Sequence, residues 1–240
     1  MNKKLRETIR LVWRGLFLEP AAYDEAAADD NPFVEGVFLV VIIGIVAGLG
    51  LLIGGLLAWA TTPDLAQVKA ILLEGLRSTA WYDAMRVEPE FVRRFEQNYE
   101  LGWRIGEFFA PDPGQAFLML LLTPLRLLVS WLWFGLVAHG VARLLGGNGT
   151  VGQTMGATAL AAAPQLLLVL GLVPGLAVAG VGTWTLLARY VAVRRVHENL
   201  TWPQVLTAVL IPTIIPVLLA LIGALLSLPF LAGLLGGLFA

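Results

Sequence analysis

The chain has 240 residues, 58% of them hydrophobic and only 14% charged, with a mean hydropathy of +0.80. A soluble domain is nearer half apolar and a quarter charged, so the excess apolar surface must face something other than water. A formal net charge of −1 excludes a globally basic nucleic-acid binder, and the lack of cysteine excludes disulfides, thiolate metal sites, iron–sulfur clusters and cysteine nucleophiles.

The first segment places Leu5, Ile9, Val12, Trp13, Leu16 and Phe17 at helical spacing, with Lys3, Lys4, Arg6, Arg10 and Arg14 on the other face. This pattern predicts a basic amphipathic helix lying along a membrane surface. It is not read as a signal peptide, because no continuous apolar core or small-residue cleavage pattern follows. Residues 19–32, EPAAYDEAAADDNP, read as an acidic linker, a solvated spacer beside the basic helix.

Five apolar stretches follow, predicted as membrane spans over about 33–60, 116–141, 151–170, 174–193 and 203–223. The first carries Gly44 and Gly48, then Gly50 and Gly54, each pair at the four-residue spacing of close helix contacts. Between spans one and two, residues 61–114 carry two amphipathic patterns broken near Pro89 and predict a helical insertion outside the bilayer core, most simply a lid over the helix ends. From Pro203 to Ala240 there is no charge; Pro212 and Pro216 should kink the last helix and Ser227-Leu228-Pro229 should break it, leaving an apolar half-helix at 227–240. The fold class is thus an all-α integral membrane protein: residues 1–32 form the basic helix and acidic linker, and residues 33–240 the five-span domain. Short basic segments at the N-terminus, after Arg143 and at Arg189–Arg195 fall on one side, which predicts a cytoplasmic N-terminus and an outer C-terminus. Thr150-x-x-Gln153 and Thr201-x-x-Gln204 both fit capping boxes, and each Thr lies seven residues after an arginine, which also fits a repeated helical hairpin.

Four ionisable residues are candidates for function: Arg126, His139, Arg143 and Arg189. Arg126 falls inside an apolar run, where an unpaired guanidinium costs several kcal/mol, and the carbonyl freed by Pro124 is a possible acceptor for it. Alternatively the span starts later and Arg126 lies at the outer surface. His139 and Arg143 are either a proton-responsive pair or interface residues reaching water. Gly152, Gly156, Ala159, Ala163 and Pro164 mark a small-residue helix face suited to packing. No phosphate loop, catalytic triad, paired catalytic carboxylates or metal-ligand spacing appears, so neither an enzyme nor a cofactor or metal is expected.

These stretches resemble the Yip domain family of small five-span membrane proteins. The likeness runs from LVWRGLFLEPAAYDEAAADDNPF before the first span, through AHGVARLLGGNGTVGQTMGATALAAAPQLL (138–167), to VRRVHENLTWPQVL (193–206). Eukaryotic members interact with Rab GTPases in vesicle traffic, and the resemblance implies the same topology that the charges predict. The chain departs from the family where EPAAYDE replaces an Asp-Leu-Tyr-Gly-Pro motif, and where Ala and Leu replace a Gly-Tyr pair. A long cytosolic N-terminal region is also missing. These departures argue against a Rab-type partner and for a prokaryotic inner-membrane member. The expected function is a non-catalytic membrane adaptor or scaffold whose partners are lipids and another membrane protein or a second copy. The alternative is a small transporter, channel or lipid-moving protein with Arg126 near a polar path.

Overall fold

The computed structural model describes residues 3–173, 176 and 178–238. Among these the chain is helical throughout, without a strand. Helix α1 (Lys3–Leu16) turns into α2 (Pro20–Ala27) through Leu18, whose φ of 60° costs a non-glycine residue about 1–2 kcal/mol. The Tyr23 hydroxyl donates to the Gly15 carbonyl at 2.9 Å and fastens this turn.

The expected acidic spacer is therefore a structural wedge. Pro20 starts α2, and Ala22, Tyr23 and Ala26 form a buried face against α8 and α9. Its acids have named partners. Asp24 takes a two-pronged bond from Arg195 at 2.8 and 2.6 Å, while Arg14 pairs with Glu25 at 2.6 Å and Glu19 at 3.0 Å. A spacing rule that counts charges sees solvation where alternate residues of one short helix meet either protein or water.

Among the described residues, four helices are long and apolar enough to cross a membrane: α3 (Pro32–Thr61), α7 (Pro113–Leu144), the element from Val151 to Leu172, and α10 (Trp202–Pro229 of a helix that continues to Leu238). Helix α3 is the central post. Its two glycine pairs face different neighbours: Gly44 and Gly48 lie against Pro124 and Leu120 of α7, Gly50 and Gly54 against Val169 and Gly171. A side chain at Gly44, Gly50 or Gly54 would strike backbone and one at Gly48 would press on Leu120, so the glycines set the helix separation.

The third crossing changes geometry midway. Helix α8 (Val151–Leu160) begins with the expected capping box, Thr150 and Gln153 satisfying each other's backbone N–H groups. Pro164 cannot donate to the Leu160 carbonyl, and the chain tightens to a 3-10 helix over Ala163–Leu172, with Gln165 N–H bonded to Ala162 at 2.9 Å. Helix α9 (Val181–Val196) follows Gly180, which adopts a left-handed φ of 85°. The span expected over 174–193 thus has its described helix later and shorter, 16 residues or about 24 Å. Pro174, Gly175 and Ala177, where the sequence would start it, lie outside the described residues.

Helix α10 shows no break at Ser227–Pro229; its backbone stays helical from Trp202 to Leu238, about 55 Å. Each proline removes one donor and leaves the rest of the ladder intact, while Thr213 and Ser227 hydroxyls bond back to carbonyls at Val209 and Ala224. The last two residues of the expected half-helix, Phe239 and Ala240, lie outside the described residues. At the second capping signature, Thr201 N–H and Oγ1 both donate to Gln204 Oε1 at 2.8 Å, so only half of the reciprocal pattern forms.

Helices α4 (Leu65–Arg77), α5 (Ala80–Met85) and α6 (Pro89–Phe108) form the insertion. Phe91, Phe95, Tyr99 and Trp103 make an aromatic ladder along α6, with Trp81 and Tyr82 against its first two rings. Lys69–Glu100 at 2.6 Å and an Arg77–Glu96 pair tie α4 to α6. Neither α4 nor α6 buries a residue, so the insertion is held by its own side chains and is not a lid seated on the bundle.

Candidate functional site

Polar residues are scarce in the membrane helices, and helical spacing brings several of them together. On α7, Arg126, Ser130 and Phe134 recur every fourth residue on one face; on α9, Thr185 and Arg189 do the same. These faces, with Thr158 of α8 and Gln165 of the 3-10 helix, enclose a cavity of about 190 Å³. Arg189, half-buried, donates to Ser130 Oγ at 3.2 Å and lies 4.3 Å from the centre of the Phe134 ring. Gln165 Nε2 donates to Thr185 Oγ1 at 3.0 Å. Arg126 is exposed at the cavity mouth and, among the described residues, has neither a hydrogen-bond nor an ion-pair partner.

Arg126 lies about 20 Å along α7 from Pro113 and about 27 Å from Leu144, so it is mid-helix and not at an end. The Leu120 carbonyl that Pro124 frees faces Gly48 of α3 instead of accepting from Arg126. Two guanidinium groups therefore share one small cavity, and among the described residues no carboxylate meets either. A cation at such depth costs several kcal/mol unless something offsets it.

His139 and Arg143 stand apart from this cavity. Arg143 Nη1 donates to the Gly147 carbonyl at 2.8 Å and closes the turn after α7. His139 Nδ1 is 3.0 Å from Thr154 Oγ1, and Thr154 Oγ1 is 3.3 Å from Nε2 of His197, a fully buried residue. Gly149 N–H donates to His197 Nδ1 at 3.1 Å, which leaves the proton of the neutral ring on Nε2, aimed at Thr154. The Thr154 hydroxyl passes its own proton to the Thr150 carbonyl at 2.9 Å. Burial, then the charges of His139 and Arg143, push the His197 imidazole down to about 4. Two histidines without a third ligand make no metal site, and no group of three ligating side chains occurs among the described residues.

The small-residue face divides. Gly156 lies against the Ala26 carbonyl and Pro32, and Ala159, Ala163 and Pro164 are buried. Gly152 has open space, its nearest neighbour being Pro32 Cγ 4.0 Å from where a Cβ would stand. Sequence reasoning passed over Ser130, Gln165 and Thr185, and it placed His197 in the basic cluster that closes the fourth span on the aqueous side, where the structure buries it fully. The first and third carried a signal in their four-residue spacing from Arg126 and Arg189; His197 carried none, because its partners lie in a different turn. A wider groove of about 770 Å³ between α1, α3 and the 3-10 helix is lined almost wholly by apolar side chains.

Long apolar helices, glycine-mediated packing and a small polar cavity between them define an integral membrane protein built as a helical bundle. The Yip1 domain family model matches residues 14–226, and the chain belongs to that family. No curated protein and no solved structure matches it.

Proposed function

We propose that this protein is a non-catalytic membrane scaffold of the Yip type, acting through helix–helix and membrane-surface contacts. The observation that supports this reading most directly is α10. From Pro216 to Pro229 its residues are exposed around the helix, Ser227 alone being half-buried. That stretch offers every face to lipid or to another helix. Helix α1 adds a second docking surface, with Ile9, Trp13 and Phe17 exposed in one stripe beside Arg6 and Arg10. With α9 as a short fourth crossing the bundle has five spans, the basic turns at Arg143 and Arg194–Arg195 and the N-terminus in the cytoplasm, the C-terminus outside, and a bacterial inner membrane as its location. Purification in mild detergent with cross-linking tests the reading. A stoichiometric membrane partner or a homo-oligomer is expected, and a clean monomer under every gentle condition overturns it.

A second reading, a small transporter or lipid-moving protein, is favoured by the cavity that reaches Arg126. Flux in proteoliposomes that is lost in Arg126→Leu supports it; no flux of ions, small anions or lipids removes it.

A further inference from the structure

We propose that the Arg126–Arg189 cavity binds a phosphate oxyanion, delivered as the phosphate group of an anionic membrane lipid. The groups lining the cavity are biased toward donation. The Thr158 and Thr185 hydroxyls give their protons to carbonyls one turn back, at 2.7 Å to Thr154 and 2.8 Å to Val181. What remains are the guanidinium N–H groups of Arg126, those of Arg189 not given to Ser130, the Ser130 hydroxyl proton and the second Gln165 Nε2 proton, against one amide acceptor, Gln165 Oε1. Guanidinium forks match phosphate oxygens two at a time, and with no carboxylate on either arginine among the described residues that valence is unmet. About 190 Å³ holds roughly six waters at ~30 Å³ each, room for one tetrahedral oxyanion and too little for a nucleotide.

The source follows from where the mouth lies. Arg126 is exposed mid-helix, flanked on the same face by exposed Leu122 and Val129. A phosphate entering past Arg126 carries its acyl chains along that apolar face, whereas a soluble ion has to leave water to reach it. This inference is independent of the scaffold reading: binding without flux fits a scaffold, and binding with flux fits a lipid-moving protein.

The test uses the full chain in maltoside detergent, titrated with dioctanoyl phosphatidic acid, dioctanoylglycerol or inorganic phosphate while thermal unfolding is followed. Phosphatidic acid should raise the melting temperature saturably, and dioctanoylglycerol, with the same tails and no phosphate, should not. Arg126→Gln and Arg189→Gln should each weaken binding at least tenfold, and Arg189→Lys should weaken it less than Arg189→Gln. Arg126 makes no contact that folding depends on, so if Arg189→Gln does not fold the Arg126 variant decides alone. Saturation by inorganic phosphate at equal concentration keeps the oxyanion site but overturns the lipid as its source. No shift with either phosphate compound, or an unchanged shift in Arg126→Gln, overturns the site.

Discussion

Trp133 donates its indole N–H to the carbonyl of Pro212 at 2.9 Å, and that carbonyl is the one Pro216 leaves without a helical donor. A tryptophan on one membrane helix thus repairs the hydrogen-bond ladder of another, 79 residues along the chain. In hydrocarbon no water is available to do this, so the side chain must. Trp133→Phe keeps the apolar ring and removes the donor, and should cost about 1–3 kcal/mol, the usual consequence of an orphaned buried polar group. Thermal unfolding in detergent measures the cost, and faster hydrogen exchange around residues 212–216 locates it.

The small-residue face of α8 separates into one position that needs glycine and one that does not. Gly156→Ala drives a methyl into the Ala26 carbonyl and Pro32, and should destabilise by about 1–3 kcal/mol. Gly152→Ala meets open space and should be neutral or stabilising by up to about 1 kcal/mol through helix propensity. Equal effects of the two substitutions would contradict the packing described for α2 and α8.

His197 makes stability depend on pH. Its imidazole titrates near 4 in the folded protein and near 6.5 when unfolded, so between these values the unfolded chain binds the extra proton. Stability is complete above about pH 6.5 and falls as pH drops toward 4. The groups facing it are His139 and Arg143 of α7, Thr154 of α8 and the Gly149 N–H. His197→Asn keeps an acceptor at the Nδ1 position and should flatten that part of the pH profile of the melting temperature.

The α2 wedge predicts two losses of different kinds. Tyr23→Phe removes a buried bond to Gly15 and should cost about 1 kcal/mol at any salt concentration. Asp24→Asn weakens a half-exposed pair with Arg195 and should cost no more than about 1 kcal/mol, less at high salt. Denaturation of both variants at low and high ionic strength checks the contrast.

Helices α4 and α6 bury nothing in the bundle, and Gly55 of α3 sits beside Ala116 of α7 just below the insertion. Replacing residues 64–110 with a short Gly/Ser linker should leave the melting temperature of the membrane domain within a few degrees of the parent. A collapse of folding would show that the insertion braces the bundle.

Much of the architecture was legible without coordinates because hydropathy reports it directly: long apolar runs have no other stable home than a bilayer or a core, and the Thr150–Gln153 cap is a purely local device. The errors fell where distant residues decide. The wedge at residues 20–27 has the sequence pattern of a spacer because Asp24 and Glu25 look solvated until Arg195 and Arg14 are beside them. The break at Ser227–Pro229 was expected because a proline costs one hydrogen bond, and nothing local shows that the remaining ladder continues past it.

By itself the sequence determined the class of protein, the rough places of its apolar helices and the family. It also marked Arg126 as a charge out of place, since the expense of a buried cation depends on its immediate apolar surroundings. Only the tertiary structure decided that Arg189, 63 positions later, turns toward the same cavity, that Ser130 receives it, and that no carboxylate among the described residues answers either. Helical periodicity places a residue on a face; which faces meet is set by the glycine contacts of α3, and these act between elements far apart in the chain.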